Sequence, residues 1–263
     1  MNSVEHEQKY LTGDHLLKGE YYIESAKREQ TLTRSERYAG WTIPTVFPDD
    51  PLTGDDEFQN DFQSVGAQAV NNLSNKIMMA LFQPSRPFFR LTLTPEQEQE
   101  VLAENIGMNS TMIEEALAEG ERGSMRELEK INARVTMTDC IQQLIITGNS
   151  LLYMPEDNTM QSYSIRDYVI ERDLRGNMVK IIIRETKSIT SLSDEMATMA
   201  MEAGMTMTGE ATIYTAIQKV GKDQFVVWQE LEDLCYCHVS VGRYKQDELP
   251  WIPLTWTLAR NKD

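Results

Sequence analysis

Between Asp49 and Glu57 the sequence DDPLTGDDE gathers five carboxylates, Asp49, Asp50, Asp55, Asp56 and Glu57. Clustered acids are what a divalent cation needs for phosphodiester hydrolysis, so a metal-dependent nuclease is one chemistry this stretch could serve. It lacks the Asp-x-Asp-x-Asp-Gly order of a calcium loop and has no partner histidine, and it reads more simply as a solvated turn. The thiols and imidazoles offer less. Cys140, Cys235 and Cys237 are an odd set without CxxC spacing, which fits reduced thiols better than a disulfide framework. Cys235 and Cys237 alternate along an expected strand and share a face that His238 does not. His6 and His15 are the only other histidines, so no zinc set is expected. A GxSxG elbow, an HExxH helix, a GxxxxGK[ST] phosphate loop and a GxGxxG turn are all missing from the sequence. The expectation is a non-enzyme with no catalytic, cofactor-binding or metal-binding residues, whose role is structural or interactive.

The charge supports that direction. With 41 acidic against 25 basic residues the chain of 263 residues carries a formal −16, the opposite of the basic stripe that grips phosphates. Any contact with DNA should be weak and without sequence preference. No basic leader precedes an apolar run, and no uncharged apolar run approaches the ~20 residues of a membrane helix.

The elements that would present an interaction surface are centred on FQSVGAQAVNNLSNKIMMALF, Phe62 to Phe82. Asn60 with Gln63 makes a plausible capping box, and Pro84 and Pro87 cannot continue the helical ladder, so one helix is predicted here. Phe62, Val65, Ala69, Leu73, Ile77 and Leu81 recur at three- and four-residue spacing and are expected to face the core. The opposite stripe, Gln68, Asn71, Asn72 and Asn75, is polar but uncharged, and Lys76 is the only ionisable side chain between the two ends. Asn is a poor helix former, so these four residues are the candidate packing or subunit-contact stripe, with a buried helix inside one domain as the plainer reading.

Around this helix, residues from Asp14 to about Gly40 read as a solvated helix with Gly19 as its weak point, and WTIPTVFP ends it. FFRLTL (Phe88 to Leu93) has strand composition. Thr94-Pro95-Glu96-Gln97 opens another helix with a cap, and Ser124 with Glu127 is expected to cap a further one ending at Gly148 and Asn149. SLLYMP reads as a buried strand. From Tyr163 the period becomes two, with hairpins turning at Arg175-Gly176-Asn177 and Gly221-Lys222-Asp223, and CYCHVSV and WIPLTW supply late strands. Met196, Met199, Met201, Met205 and Met207 form either a core-capping helix, a loose loop or a docking patch. The predicted fold class is α+β, with N-terminal helices around a central buried helix (1–149) followed by antiparallel hairpins (150–263).

YAGWTIPTVFP followed by FQSVGAQAVNNLSNKIMMALF closely resembles the N-terminal half of portal proteins, the head-to-tail connectors of short-tailed phages. IITGNSLLYMP, SYSIRDYVIERDLRGN and PWIPLTWTLAR are similar to the same family in the same order, so the resemblance runs from about Tyr38 to the end. It implies a wing domain over 1–263, without the stem, clip and crown of longer members. It further implies a dodecameric ring at one capsid vertex of the virion, assembled in the host cytoplasm. The partners so implied are the major capsid protein, the terminase packaging motor, the tail adaptor and an internal core protein. Genomic DNA would pass through the channel without specific binding, and no membrane is involved. WIPLTWTLARNKD stops where family members enter the stem, so this chain alone is expected to close a ring poorly. A nuclease built on residues 49–57 and a monomeric scaffold or tail adaptor are the alternatives.

Overall fold

The structure is a computed structural model that describes residues 17–47, 64–83, 87–105, 109–155, 159–202, 204–206, 209–232 and 242–256. The helical half comprises α1 (Leu17–Lys27), α2 (Glu29–Trp41), a 3-10 turn (Pro44–Val46), α3 (Val65–Leu81), α4 (Pro95–Glu104), α5 (Ser110–Lys130) and α6 (Ala133–Thr147). There follow β1 (Asn149–Tyr153), β2 (Gln161–Tyr163), β3 (Tyr168–Arg172), β4 (Met178–Ser188), a 3-10 turn (Ile189–Ser191) and α7 (Asp194–Glu202). β5 (Glu210–Lys219), β6 (Gln224–Leu231), β7 (Gly242–Lys245) and β8 (Trp251–Thr255) complete the order. The α+β expectation holds.

β3 to β7 form a five-stranded antiparallel meander, and β2-β1-β8 a three-stranded antiparallel sheet. Side chains alternate across a strand, so Ile181 and Ile183 face one side with Ile217, Phe225 and Val227, while Ile182 faces the other with Ala216, Val226 and Trp228. Both faces are covered. The three-stranded sheet sets Leu151, Tyr163 and Trp251 on the first, and α1 lays Leu17 and Tyr21 on the second. Two-sided burial is why β4 reads as an unbroken Ile-Ile-Ile run rather than an alternating one. At one end of the sheet α7 packs Met196 and Ala200 against Ile189, Ile213 and Leu231, so the first part of the Met-rich segment is a core-capping helix.

Both hairpins turn where expected. Asp173 organises the first, its carboxylate accepting the backbone N–H groups of Arg175 and Asn177, each at 2.8 Å, and the Asn177 side-chain amide at 2.9 Å. These hydrogen bonds to its charged form hold the Asp173 carboxyl below its usual range. The Thr94–Gln97 capping box forms with Pro95 in the first turn, and Gly148 ends α6 in the left-handed region at φ 82°.

Three local expectations give way to tertiary contacts. The first helix breaks at Arg28 rather than Gly19, because the Arg28 guanidinium donates to the carbonyls of Ile165 (2.6 Å) and Tyr168 and pins α1 to the start of β3. Phe88 to Leu93 joins no sheet, and the Leu91 N–H donates instead to the Glu121 carboxylate of α5 at 2.7 Å. Ser124 lies inside α5, where its hydroxyl donates to the Gly120 carbonyl at 3.0 Å, as a mid-helix hydroxyl can. The helix instead breaks at Asn132, a non-glycine residue in the left-handed region at φ 53°. The Asn60–Gln63 cap, Pro84, the acidic stretch 49–57, Cys235, Cys237 and all three histidines lie outside the described residues.

Candidate subunit-contact surface

Helix α3 runs Val65–Leu81 and packs chiefly on α6. Its buried side chains are Val70, Ser74 and Met78, one every four residues and hence one stripe. This corrects the expected core face. Val65, Ala69, Leu73 and Leu81 are exposed, and Ile77 is half-buried. The physical reason is close helix approach: small residues, Gly66, Ala67 and Ser74, lie on the packed side and admit a neighbouring backbone that a row of Leu and Ile would hold off. Gly66 shows it most directly, since a Cβ there would collide with the Trp41 carbonyl oxygen at the end of α2. The Ser74 hydroxyl is fully buried and has no hydrogen-bond partner among the described residues.

The amide stripe divides. Asn71 turns toward α6, where its carbonyl accepts from the Gln142 side-chain amide at 2.9 Å, and Gln68 donates to Ser64 at the start of its own helix at 3.1 Å. Asn72 and Asn75 are exposed, as are Gln68 and Asn71 overall. They share the outer half of α3 with Val65, Leu73 and Met79, which are 68%, 46% and 59% exposed. Trp41, 59% exposed, stands beside the helix N-terminus, flanked by Tyr38 at 5.9 Å between ring centroids and by the Arg37 guanidinium at 6.0 Å. Lys76 is the one charge on this half of α3. Spacing alone does not reveal this surface, because it places the apolar and amide stripes on opposite sides; the available signal is the near absence of charge around the whole helix.

Chemistry elsewhere is sparse. No group of three or more His, Cys, Asp or Glu side chains placed to hold a metal ion occurs among the described residues. Cys140 is buried, and burial pushes its thiol up, away from the reactive thiolate. Asp167 sits in the turn before β3, accepting the Ser164 N–H at 3.2 Å. Burial raises its carboxyl to about 6, against the Ser164 hydrogen bond and the nearby Arg166, which lower it. No described helix is long and apolar enough to cross a membrane.

The sequence profile of the bacteriophage head to tail connecting protein family matches residues 15–263. This chain belongs to that family. It is 32% identical over 245 residues to the portal protein of Enterobacteria phage SP6, covering 91% of this chain and 46% of that protein. It is 31% identical over 230 residues to the portal protein of Escherichia phage T7, covering 84% and 42%, and 30% identical over 233 residues to that of Pseudomonas phage phiKMV, covering 86% and 45%. The chain thus spans less than half the length of these relatives.

Proposed function

We propose that this chain is the wing portion of a portal subunit, a structural protein that forms a ring at one capsid vertex, through which viral DNA is packaged and ejected and to which the tail attaches. The observation that carries the reading is the outer half of α3 with Trp41: exposed apolar side chains interleaved with Asn and Gln and almost no charge, in a family of head-to-tail connectors. Interface cores are depleted in charge and enriched in aromatic residues, whereas a solvated face of a −16 chain carries acids. Across a ring contact Gln68, Asn72 and Asn75 would exchange amide hydrogen bonds with a neighbour while Leu73 and Met79 are buried. Twelve copies, contacts with the major capsid protein, terminase, tail adaptor and internal core protein, and passage of DNA without specific binding all belong to this proposal. The acidic balance supports the last, because Lys and Arg lining a channel would hold phosphates. Neither the described residues nor the relatives' names support the nuclease alternative.

Mass photometry and negative-stain images of the longest natural form of the protein test the reading. Ring-sized particles are expected, with Leu73→Asp shifting them toward monomers at unchanged melting temperature. A monodisperse monomer at micromolar concentration, or magnesium-dependent cleavage of DNA, would overturn it.

A further inference from the structure

Arg34, Arg37, Tyr38 and Trp41 recur along α2 at the i, i+3, i+4 and i+7 positions of one helical face, and Gln30 extends the stripe by a turn. All five side chains are exposed. The helix buries its other side through Ser35 and Ala39, and its two acids, Glu29 and Glu36, fall away from the stripe, Glu36 approaching the Arg166 guanidinium at 4.0 Å. Neither Arg34 nor Arg37 meets a carboxylate among the described residues. In a chain where acids outnumber bases 41 to 25, this face is a local inversion of charge. It is also continuous with the uncharged outer half of α3, because the Trp41 carbonyl lies against Gly66 in the first turn of that helix.

Arg, Tyr and Trp are the side chains that carry most of the energy at protein contacts, and a guanidinium beside an aromatic wall suits a carboxylate, which it can grip through two parallel donors. Two guanidiniums are too few to hold a duplex against a charge of −16, so a protein acid fits the face better than a phosphate backbone does. A face with cations and no acid cannot pack on its own image without setting like charges together. That disfavours a two-fold contact and favours a head-to-tail one, in which the face meets a different surface of the next copy. Such a surface exists on this chain. The arm formed by α4 and α5, residues 95–130, carries ten glutamates against three basic residues, and Arg122, Arg126 and Lys130 are already paired with Glu119 and Glu127 of α5 itself. α4 buries no side chain and α5 only Ile113, so glutamates such as Glu114 and Glu115 are open to a partner.

We propose that Arg34 and Arg37 receive carboxylates of a second copy in a head-to-tail contact, with Tyr38 and Trp41 as its aromatic wall and the α4–α5 arm as the source of the acids. The proposal rests on the ring reading and adds a charged part to the contact whose uncharged part is α3. Carbodiimide coupling, which joins an amine only to a carboxylate in contact with it, tests it on the Arg37→Lys variant of the longest natural form, assembled from mixed nitrogen-14 and nitrogen-15 protein. A heavy–light link from the new amine at position 37 to a peptide within 95–130 is expected. Arg34→Glu with Arg37→Glu should weaken assembly about tenfold or more at unchanged melting temperature, whereas Arg34→Lys with Arg37→Lys, which keeps the charge, should lose less. Particles that form normally with both charges reversed, or in which position 37 links only within its own copy or outside the arm, or is protected by duplex DNA instead, would sink this contact and leave the ring standing. Absence of particles from the unmutated protein would sink the ring reading first.

Discussion

Ile217, midway along β5, is wholly buried, whereas Leu73, midway along α3, is nearly half exposed, although each belongs to an apolar pattern repeated at the spacing of its element. The sheet is finished within one chain: α1 covers one face and the three-stranded sheet the other. Helix α3 is finished on one side only, against α6. Apolar sequence therefore marks two different things here, a core already filled and a surface that a second molecule can fill. What separates them is that the sheet's strands pair in sequence order and have both faces covered from within the chain, by elements distant in sequence, while the outer half of α3 is left uncovered by the other described elements.

Substitutions at these two positions should separate the regions most sharply. Ile217→Ala is expected to cost about 2–5 kcal/mol in urea unfolding, as a fully buried aliphatic does. Leu73→Ala should stay within about 0.5 kcal/mol in the monomer while weakening self-association. Equal losses of monomer stability would mean that α3 is as finished as the sheet.

The next effect lies at the turn that feeds β3. Asp167 has its folded carboxyl raised to about 6 from 3.8, so the folded state binds the proton more tightly than the unfolded chain. Its contribution is most favourable below about 4 and is lost as pH rises through about 6, leaving an ionised, half-buried carboxylate that costs about 2–3 kcal/mol at pH 7. Asp167→Asn, which keeps an acceptor for the Ser164 N–H, should raise stability at pH 7 by that order and remove the corresponding slope between pH 4 and 6. Denaturant midpoints at both pH values decide it, and a variant no more stable than the parent at pH 7 would show that the turn already solvates the charge.

Gly66→Ala probes the boundary between the two regions. The added Cβ meets the Trp41 carbonyl oxygen, so α2 and α3 must shift apart, at about 1–3 kcal/mol. An unaltered melting temperature would mean that the crossing is loose. The smallest effect on the isolated chain is expected for Asn72→Asp. Exposed as it is, it should alter monomer stability by no more than about 0.5 kcal/mol, yet place an unpaired carboxylate in any contact across α3. Sedimentation across a salt series would expose the difference, and undiminished association would remove the amides from the contact.

Much of the architecture is legible in the sequence because it is local. The Thr94 capping box, Gly148 at the end of α6 and the turn at Arg175-Gly176-Asn177 depend on residues within a few positions of one another, and each forms as the sequence predicts. The period-two runs make the hairpins readable, and the near absence of charge on α3 is enough by itself to mark Gln68, Asn72 and Asn75 as unusual. Which side of α3 is buried is not legible, since both stripes obey helical spacing and only the small-residue contacts with α2 and α6 select Val70, Ser74 and Met78. The break at Arg28 depends on carbonyls of Ile165 and Tyr168, far away in sequence, and Asn132 interrupts what propensity alone would leave continuous. Sequence by itself determined most of the elements, the hairpin turns and the family; tertiary structure decided where the first helices break, which apolar faces are covered and which charges meet, because burial and charge pairing depend on contacts between segments that no local pattern encodes.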